Sequence, residues 1–194
     1  MARDFEGRVA LVTGGNAGIG KATSKLFAER GAKVVIAARR EAEGEQAVAE
    51  IRDAGGEATF IKVDVRNSGE VESLIQGVVD TYGRLDHAFN NAGVAAGGPI
   101  HELEEDTWDR VLDINLKGVW LSMKYEVRQM LEQGFGTIVN NASMLGLAGS
   151  AGAAPYAASK HGVVGLSKCG AMAYGSRGIR VNSICVGLVE TDMT

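Results

Sequence analysis

Two side chains able to share a proton lie one helical turn apart, Tyr156 and Lys160, in the run Tyr156-Ala157-Ala158-Ser159-Lys160. Residues four apart on a helix project from one face. A phenol is a poor base at neutral pH, and a nearby ammonium favours its anion. Tyr156 so paired can take a proton from an alcohol or return one to a carbonyl. Ser143, upstream of that run, carries a hydroxyl that can hold the same substrate oxygen. Asn115 interrupts an otherwise apolar helical stretch, and a buried amide needs partners. A different chemistry is offered by Thr13-Gly14-Gly15-Asn16-Ala17-Gly18-Ile19-Gly20. Its glycines let the backbone turn tightly and let a pyrophosphate approach the start of a helix, where amide groups favour anions.

These residues need elements to position them. Short apolar runs predict buried strands at Val9 to Thr13, Lys33 to Ala38, Thr59 to Val63, Leu85 to Asn90, Gly136 to Asn141 and Arg180 to Val186. Between them, apolar residues recur at three- and four-residue steps. They predict helices over Ile19 to Arg30, Glu41 to Ala54, Ser68 to Tyr82, Thr107 to Gln133 and Pro155 to Gly175. Strand and helix alternate with short connections and no interdomain linker. The expected fold class is therefore α/β, a doubly wound, Rossmann-like parallel sheet of six strands with helices on both faces. The glycine loop then joins the first strand to the first helix. The glycine-rich stretches Gly93 to Gly98 and Gly146 to Gly152 each follow a strand, at the carboxyl edge where such sheets bind ligands.

The spacing of Gly14, Gly18 and Gly20 is Thr-Gly-x-x-x-Gly-x-Gly, and further motifs follow in order. They are Asn90-Asn91-Ala92-Gly93, Asn115, Ser143, and the Tyr156-x-x-x-Lys160 run. In this set the chain resembles the short-chain dehydrogenase/reductase family in its compact single-domain form, over essentially its whole length. The resemblance implies one nicotinamide-nucleotide-binding domain over residues 1–194. It implies an NAD(P)-dependent oxidoreductase that interconverts an alcohol and a ketone or aldehyde. It assigns catalytic roles to Asn115, Ser143, Tyr156 and Lys160. Lys160 is also expected to bind the nicotinamide ribose, and Asn115 to help hold a water that links Lys160 to solvent. Cofactor contacts are expected from Gly14, Asn16, Gly18, Ile19 and Gly20 in the loop, and from Asn91, Ala92 and Gly93. Asp64 matches an acidic contact to the adenine amino group, Val65 lines that pocket, and Gly187, Val189 and Thr191 match the segment beside the nicotinamide amide.

The cofactor's phosphate is legible at the second strand. A carboxylate about 20 positions past the glycines commonly binds the ribose hydroxyls of NAD. Here that position is Ala38, followed by Arg39 and Arg40. A missing carboxylate beside guanidinium groups favours NADP, with NAD still open. Two departures from the family pattern stand out. Val186-Gly187 replaces the usual Pro-Gly, and the sequence stops at Thr194, where family members usually continue, so the usual last strand is expected to be missing.

Composition narrows the rest. The chain has 194 residues, 45% of them hydrophobic, and a formal charge of −4, which argues against a nucleic-acid binder. No apolar run is long enough for a membrane span or leader, and the two cysteines make no disulfide framework. The default address is the cytoplasm. His87, His101 and His161 have no ligand spacing, so no metal is expected. Cys169 and Cys185 are expected to be buried thiols. Trp108, Trp120 and Met123 are expected in the core or at an interface, and Glu102, Glu104, Glu105 and Asp106 in a negative first helical turn. By resemblance, the helices Thr107 to Gln133 and Pro155 to Gly175 pair two copies as a homodimer or within a homotetramer. The substrate side, with Val94, Ala95, Ala96, Met144, Leu145, Leu147 and Ala148, is small and apolar. It leaves a sugar, a cyclic or steroid alcohol, or a 3-oxoacyl thioester open. Two alternatives remain: a protein of this fold that binds the nucleotide without turnover, and an oligomer-forming structural fragment.

Overall fold

A computed structural model of the chain describes residues 3–190. Thr191, expected near the nicotinamide, lies outside the described residues. Six strands form one sheet: β1 (Val9–Thr13), β2 (Lys33–Ala38), β3 (Glu57–Lys62), β4 (His87–Asn90), β5 (Gly136–Asn141) and β6 (Ile179–Ile184). The order is β3-β2-β1-β4-β5-β6, and every pair is parallel. The chain therefore winds outward one way from β1, crosses over, and winds outward the other way from β4. That reversal opens a crevice between β1 and β4 at their carboxyl ends.

The strands read as continuous apolar runs because both faces are covered. Ala10, Val12, Val34 and Ile36 face α1 (Gly18–Glu29) and α2 (Glu41–Asp53), meeting Ala28, Val48 and Ile51. Val9, Leu11, Val35 and Ile138 face the other way. There they pack with α3 (Ser68–Tyr82), α5 (Gly118–Gln133) and α6 (Ala154–Tyr174), and α4 (Glu105–Leu112) lies against α6. Among the described residues, no helix is long and apolar enough to cross a membrane.

The single helix expected over Thr107 to Gln133 starts earlier, at Glu105, and is interrupted. Asp113–Lys117 forms a π-helical turn between α4 and α5, with Asn115 buried at its centre. Such turns recur at functional sites because the extra residue re-aims a side chain. The fourth strand starts at His87 rather than Leu85. The Leu85 N–H and carbonyl are instead bonded to the Gln133 side-chain amide. The sixth ends at Ile184 rather than Val186, because the Val186 carbonyl accepts from Met144 N at 2.8 Å, in the loop after β5. Glu105 and Asp106 occupy the first turn of α4, favourable to its dipole, whereas Glu102 belongs to a separate 3-10 turn. Cys169 corrects the expectation of a buried thiol: it lies exposed on α6, and Cys185 is half-buried just past β6. Met123 is buried, but Trp108 and Trp120 are largely exposed.

Candidate active site

The loop after β1 is fastened to the loop after β4. Thr13 Oγ1 accepts from Asn91 N (3.0 Å) and Ala92 N (3.2 Å), and Asn91 Nδ2 donates to the carbonyls of Thr13 and Gly14. Gly14 has φ +66°, and a Cβ there would sit 3.0 Å from Ala92 Cα. At Gly20 a Cβ would lie 2.2 Å from the Gly14 carbonyl oxygen, so only glycine lets α1 approach its own loop this closely.

This cradle fits a dinucleotide. The start of α1 has no side-chain cap and no acidic residue in its first turn, leaving its amide donors for an anion. Asn16 is buried, and its Nδ2 has no partner among the described residues. A cleft of about 130 Å³ runs from Gly14 and Asn16 past Ala38, Arg39, Asp64 and Val65 to Ala92 and Gly93. Arg39 is exposed and makes no hydrogen bond or ion pair among the described residues, whereas Arg40 pairs with Glu43 at 3.2 Å. The two guanidinium groups that look equivalent in sequence are thus differently engaged. Asp64 lines the cleft, but Arg66 forks across its carboxylate with contacts of 3.0 and 2.6 Å. That hydrogen bonding holds the Asp64 carboxyl below the usual carboxylate range against the opposing effect of burial.

The catalytic candidates lie further along the same edge. Tyr156 is half-buried in the first turn of α6. Lys160 is buried, with Nζ 5.5 Å from the Tyr156 ring centroid. Nζ donates to the Asn141 carbonyl at 2.6 Å, and burial pushes its pKa down to about 8. Ser143 is buried in extended backbone after β5, its Oγ accepting from Leu145 N at 3.2 Å. The Met144–Val186 bond brings Gly187 to that loop. Gly98 N donates to the Gly152 carbonyl at 2.8 Å, so the two glycine-rich stretches meet ahead of α6.

The chain belongs to the short-chain dehydrogenase family. Residues 8–194 match that family. The chain is 40% identical to a cyclohexanol dehydrogenase of Acinetobacter sp. (strain SE19), over all of this chain and 77% of the relative. It is 43% identical to a cis-4-hydroxycyclohexanecarboxylate dehydrogenase of Sinomonas cyclohexanicum, over all of this chain and 78% of that one. A solved structure of an actinorhodin polyketide ketoreductase variant with NADPH superimposes with a TM-score of 0.94 at 43% identity, covering all of this chain and 74% of that one. The protein is an NAD(P)-dependent oxidoreductase of the alcohol–carbonyl class. None of these relatives lends support to the binding-only alternative.

Within this dehydrogenase, Asn115 is bonded through both atoms of its amide. Its Oδ1 accepts from Val94 N (2.8 Å), and its Nδ2 donates to Val94 O (2.9 Å) and Ser159 Oγ (3.3 Å). It ties the Gly93 loop to α6. Asn141, not singled out in the sequence, carries the carbonyl that holds Lys160 and donates from Nδ2 to Asn91 Oδ1 at 2.8 Å. The glycine loop and Lys160 are thus joined through two amides. Asn90, Asn140, Ser167 and Glu126 form a further buried polar group beneath them. The one sequence signal for it is a glutamate inside the apolar run Tyr125-Glu126-Val127.

Proposed function

We propose that the enzyme reduces a neutral, mainly apolar cyclic ketone, or oxidises the matching alcohol, with NADP preferred over NAD. Tyr156 is the acid/base. The observation that carries this reading is the buried Lys160 ammonium against the Tyr156 ring, anchored by the Asn141 carbonyl. Such an ammonium favours the phenolate when an alcohol gives up its proton, and supports the phenol when a carbonyl oxygen takes one. When bound, the nicotinamide supplies or accepts the hydride. Gly14, Asn16, Gly18, Ile19 and Gly20 hold its pyrophosphate, Asp64 and Val65 its adenine, and Lys160 its ribose. Asn91, Ala92, Gly93, Gly187 and Val189 line the nicotinamide side. Ser143 holds the substrate oxygen toward Tyr156, and Asn115 acts through Val94 and Ser159 as a positioning residue.

NADP preference is supported by Ala38 in place of a carboxylate and by Arg39, which makes no ion pair among the described residues, with Arg40 turned to Glu43. A cyclic, uncharged substrate is supported by the exposed apolar side chains Met144, Leu147 and Leu188 around the site. The two relatives named for cyclohexane-ring alcohols agree with it. A two-fold dimer through α4, α5 and α6 is supported by Trp120 and Met172, large apolar side chains exposed on α5 and α6. The free thiols of Cys169 and Cys185 suit the reducing cytoplasm.

The test is a panel of cyclic ketones, 3-oxoacyl thioesters and aldoses, each assayed with NADPH and NADH. Fastest turnover is expected on cyclic ketones with NADPH. Preference for a thioester or sugar would overturn the substrate class, and no turnover on any of them would overturn the catalytic reading.

A further inference from the structure

Glu126 on α5 is completely buried, and no part of the proton transfer above uses it. Its Oε2 accepts from Asn90 Nδ2 at 2.9 Å. The second proton of Asn90 Nδ2 goes to Asn140 Oδ1 at 3.0 Å. Asn140 Nδ2 in turn donates to Ser167 Oγ (2.9 Å) and Met123 Sδ (3.1 Å), and Ser167 Oγ donates to the Val163 carbonyl (2.7 Å). Every donor in this set is used. Among the described residues two acceptors of this set are left over, Glu126 Oε1 and Asn90 Oδ1, and they belong to the two groups already joined by one bond. A single proton on Oε1 would satisfy both oxygens and close an amide–acid pair.

We propose that Glu126 is a neutral carboxylic acid in the native enzyme, that it donates to Asn90 Oδ1, and that the closed network positions α6 on the sheet. The proposal rests on the catalytic reading of Tyr156 and Lys160, which α6 carries. Ser167 and Lys160 are two turns apart on one face of that helix. Ser167 meets Asn140 of β5, and Lys160 meets the carbonyl of Asn141, the next residue. Both anchors of α6 are therefore on the end of β5. Asn90 and Asn140, opposite each other in the β4–β5 register, transmit the constraint from Glu126. Glu126 is a positioning residue: it touches neither substrate nor cofactor site.

The surroundings favour the uncharged form. Asn90 faces Glu126 from β4, and Asn140 and Ser167 follow from β5 and α6. From α3, Ser68 bonds to Tyr125 Oη and Glu72 is held by Arg128. Lys124 stands over the Trp120 and Tyr125 rings, and Lys117 of the π turn pairs with Asp113. Ile179 and Val181 are the β6 residues buried in the same core, and neither carries a charge. Burial pushes the Glu126 carboxyl up to about 8, with the Asn90 bond opposing. An unpaired buried carboxylate is far costlier than the acid.

The test compares the full chain with Glu126→Gln and Glu126→Leu. Gln reproduces the acid's pattern, with Nε2 donating to Asn90 Oδ1; Leu keeps most of the volume and removes both bonds. Infrared spectra at pH 7 are expected to show a protonated-carboxyl band in the unmutated protein that is absent from Glu126→Gln. Because the native state keeps a proton that the unfolded chain releases, stability falls as pH rises between the unfolded carboxylate range and about 8. The unfolding constant should rise relative to Glu126→Gln by up to about tenfold per pH unit in that window. On a carbonyl substrate with NADPH, Glu126→Gln should keep kcat within about twofold, while Glu126→Leu should lose about tenfold in kcat with little change in KM.

A missing band together with no extra pH slope would overturn the neutral acid. A Glu126→Leu enzyme with unaltered kcat, or a Glu126→Gln enzyme that loses kcat tenfold, would overturn the positioning role. If Glu126→Leu does not fold, rescue by Glu126→Gln still decides it. Failure of the catalytic reading is separate: Tyr156→Phe with undiminished turnover would sink that reading and leave the band and slope untouched.

Discussion

At the amino ends of the strands, the Asp86 carboxylate has no exposed side-chain surface and every oxygen is engaged. It accepts from Val9 N (2.9 Å), Arg8 Nη1 (3.2 Å) and the guanidinium of Arg84. Burial pushes its pKa upward, but the Arg84 and Val9 bonds outweigh that and lower it. Around it Phe5, Phe27, His87 and Phe135 pack ring to ring, with centroids 5.0 to 6.4 Å apart. At the carboxyl ends the pattern is reversed. Among the described residues, Asn16 Nδ2 and Asn141 Oδ1 are buried without partners, and Arg39 makes no ion pair. The start of α1 is uncapped, and Lys160 keeps an ammonium in a desolvated place. Buried polar groups are normally paired, as the oxygens of Asp86 are. A sheet with one closed end and one open end separates stability from chemistry, and substitutions at the two ends should fail in different assays.

The largest effect belongs to the open end. Tyr156→Phe keeps the ring and its packing but removes the proton-transfer group. Turnover should fall by about 10²–10⁴-fold while the NADPH dissociation constant changes little. Retention of more than about a tenth of the rate would remove Tyr156 from its role. At the closed end, Asp86→Ala should destabilise the fold by about 2 kcal/mol, because Val9 N and two arginines lose a charged acceptor. Urea unfolding would register that loss, and kcat of the folded enzyme should be unaltered. A drop in kcat there would break the separation of the two ends.

Smaller effects sharpen it. Arg39→Ala should weaken NADPH by about tenfold, since a charge-assisted hydrogen bond is worth roughly 1.5–3 kcal/mol, and leave NADH alone. Ala38→Asp should move preference the same way by repelling the 2′-phosphate. Dissociation constants for both cofactors at one salt concentration check both variants, and equal weakening of NADPH and NADH would sink the argument. The smallest effect concerns His87, whose pKa is lowered by burial. The unfolded chain then binds the proton more readily, so stability should fall as pH drops below the ordinary histidine range. His87→Phe should flatten that decline in urea midpoints compared between pH 7 and pH 5.

The order of motifs, the six-strand alternation, and the face shared by Tyr156 and Lys160 were all legible in the sequence, because each is local. Three-residue glycine spacing, apolar periodicity and a one-turn separation depend on neighbours along the chain. Element ends were less legible. The start of β4 was displaced by the Gln133 side chain, 48 positions away, and the end of β6 by Met144 N. No local pattern carries such bonds. The π turn at Asp113–Lys117 likewise follows from where Asn115 must reach, not from its neighbours' helix propensity.

What the sequence by itself determined about this protein is therefore its fold, its family and the residues that could do the chemistry. Tertiary structure alone decided which of them are engaged. Arg39 and Arg40 are adjacent and chemically identical, yet among the described residues only Arg40 makes an ion pair, with Glu43 one turn into α2, while Arg39 acts on Asp64 only at a distance. Cys169 was expected inside and stands outside, because its face of α6 turns from the sheet. Glu126 stands in an apolar run and is completely buried, where desolvation rather than a charged neighbour sets its ionisation. Burial and pairing are properties of surfaces brought together from distant segments, and in water the free energy of a charge depends on that company more than on its own chemistry.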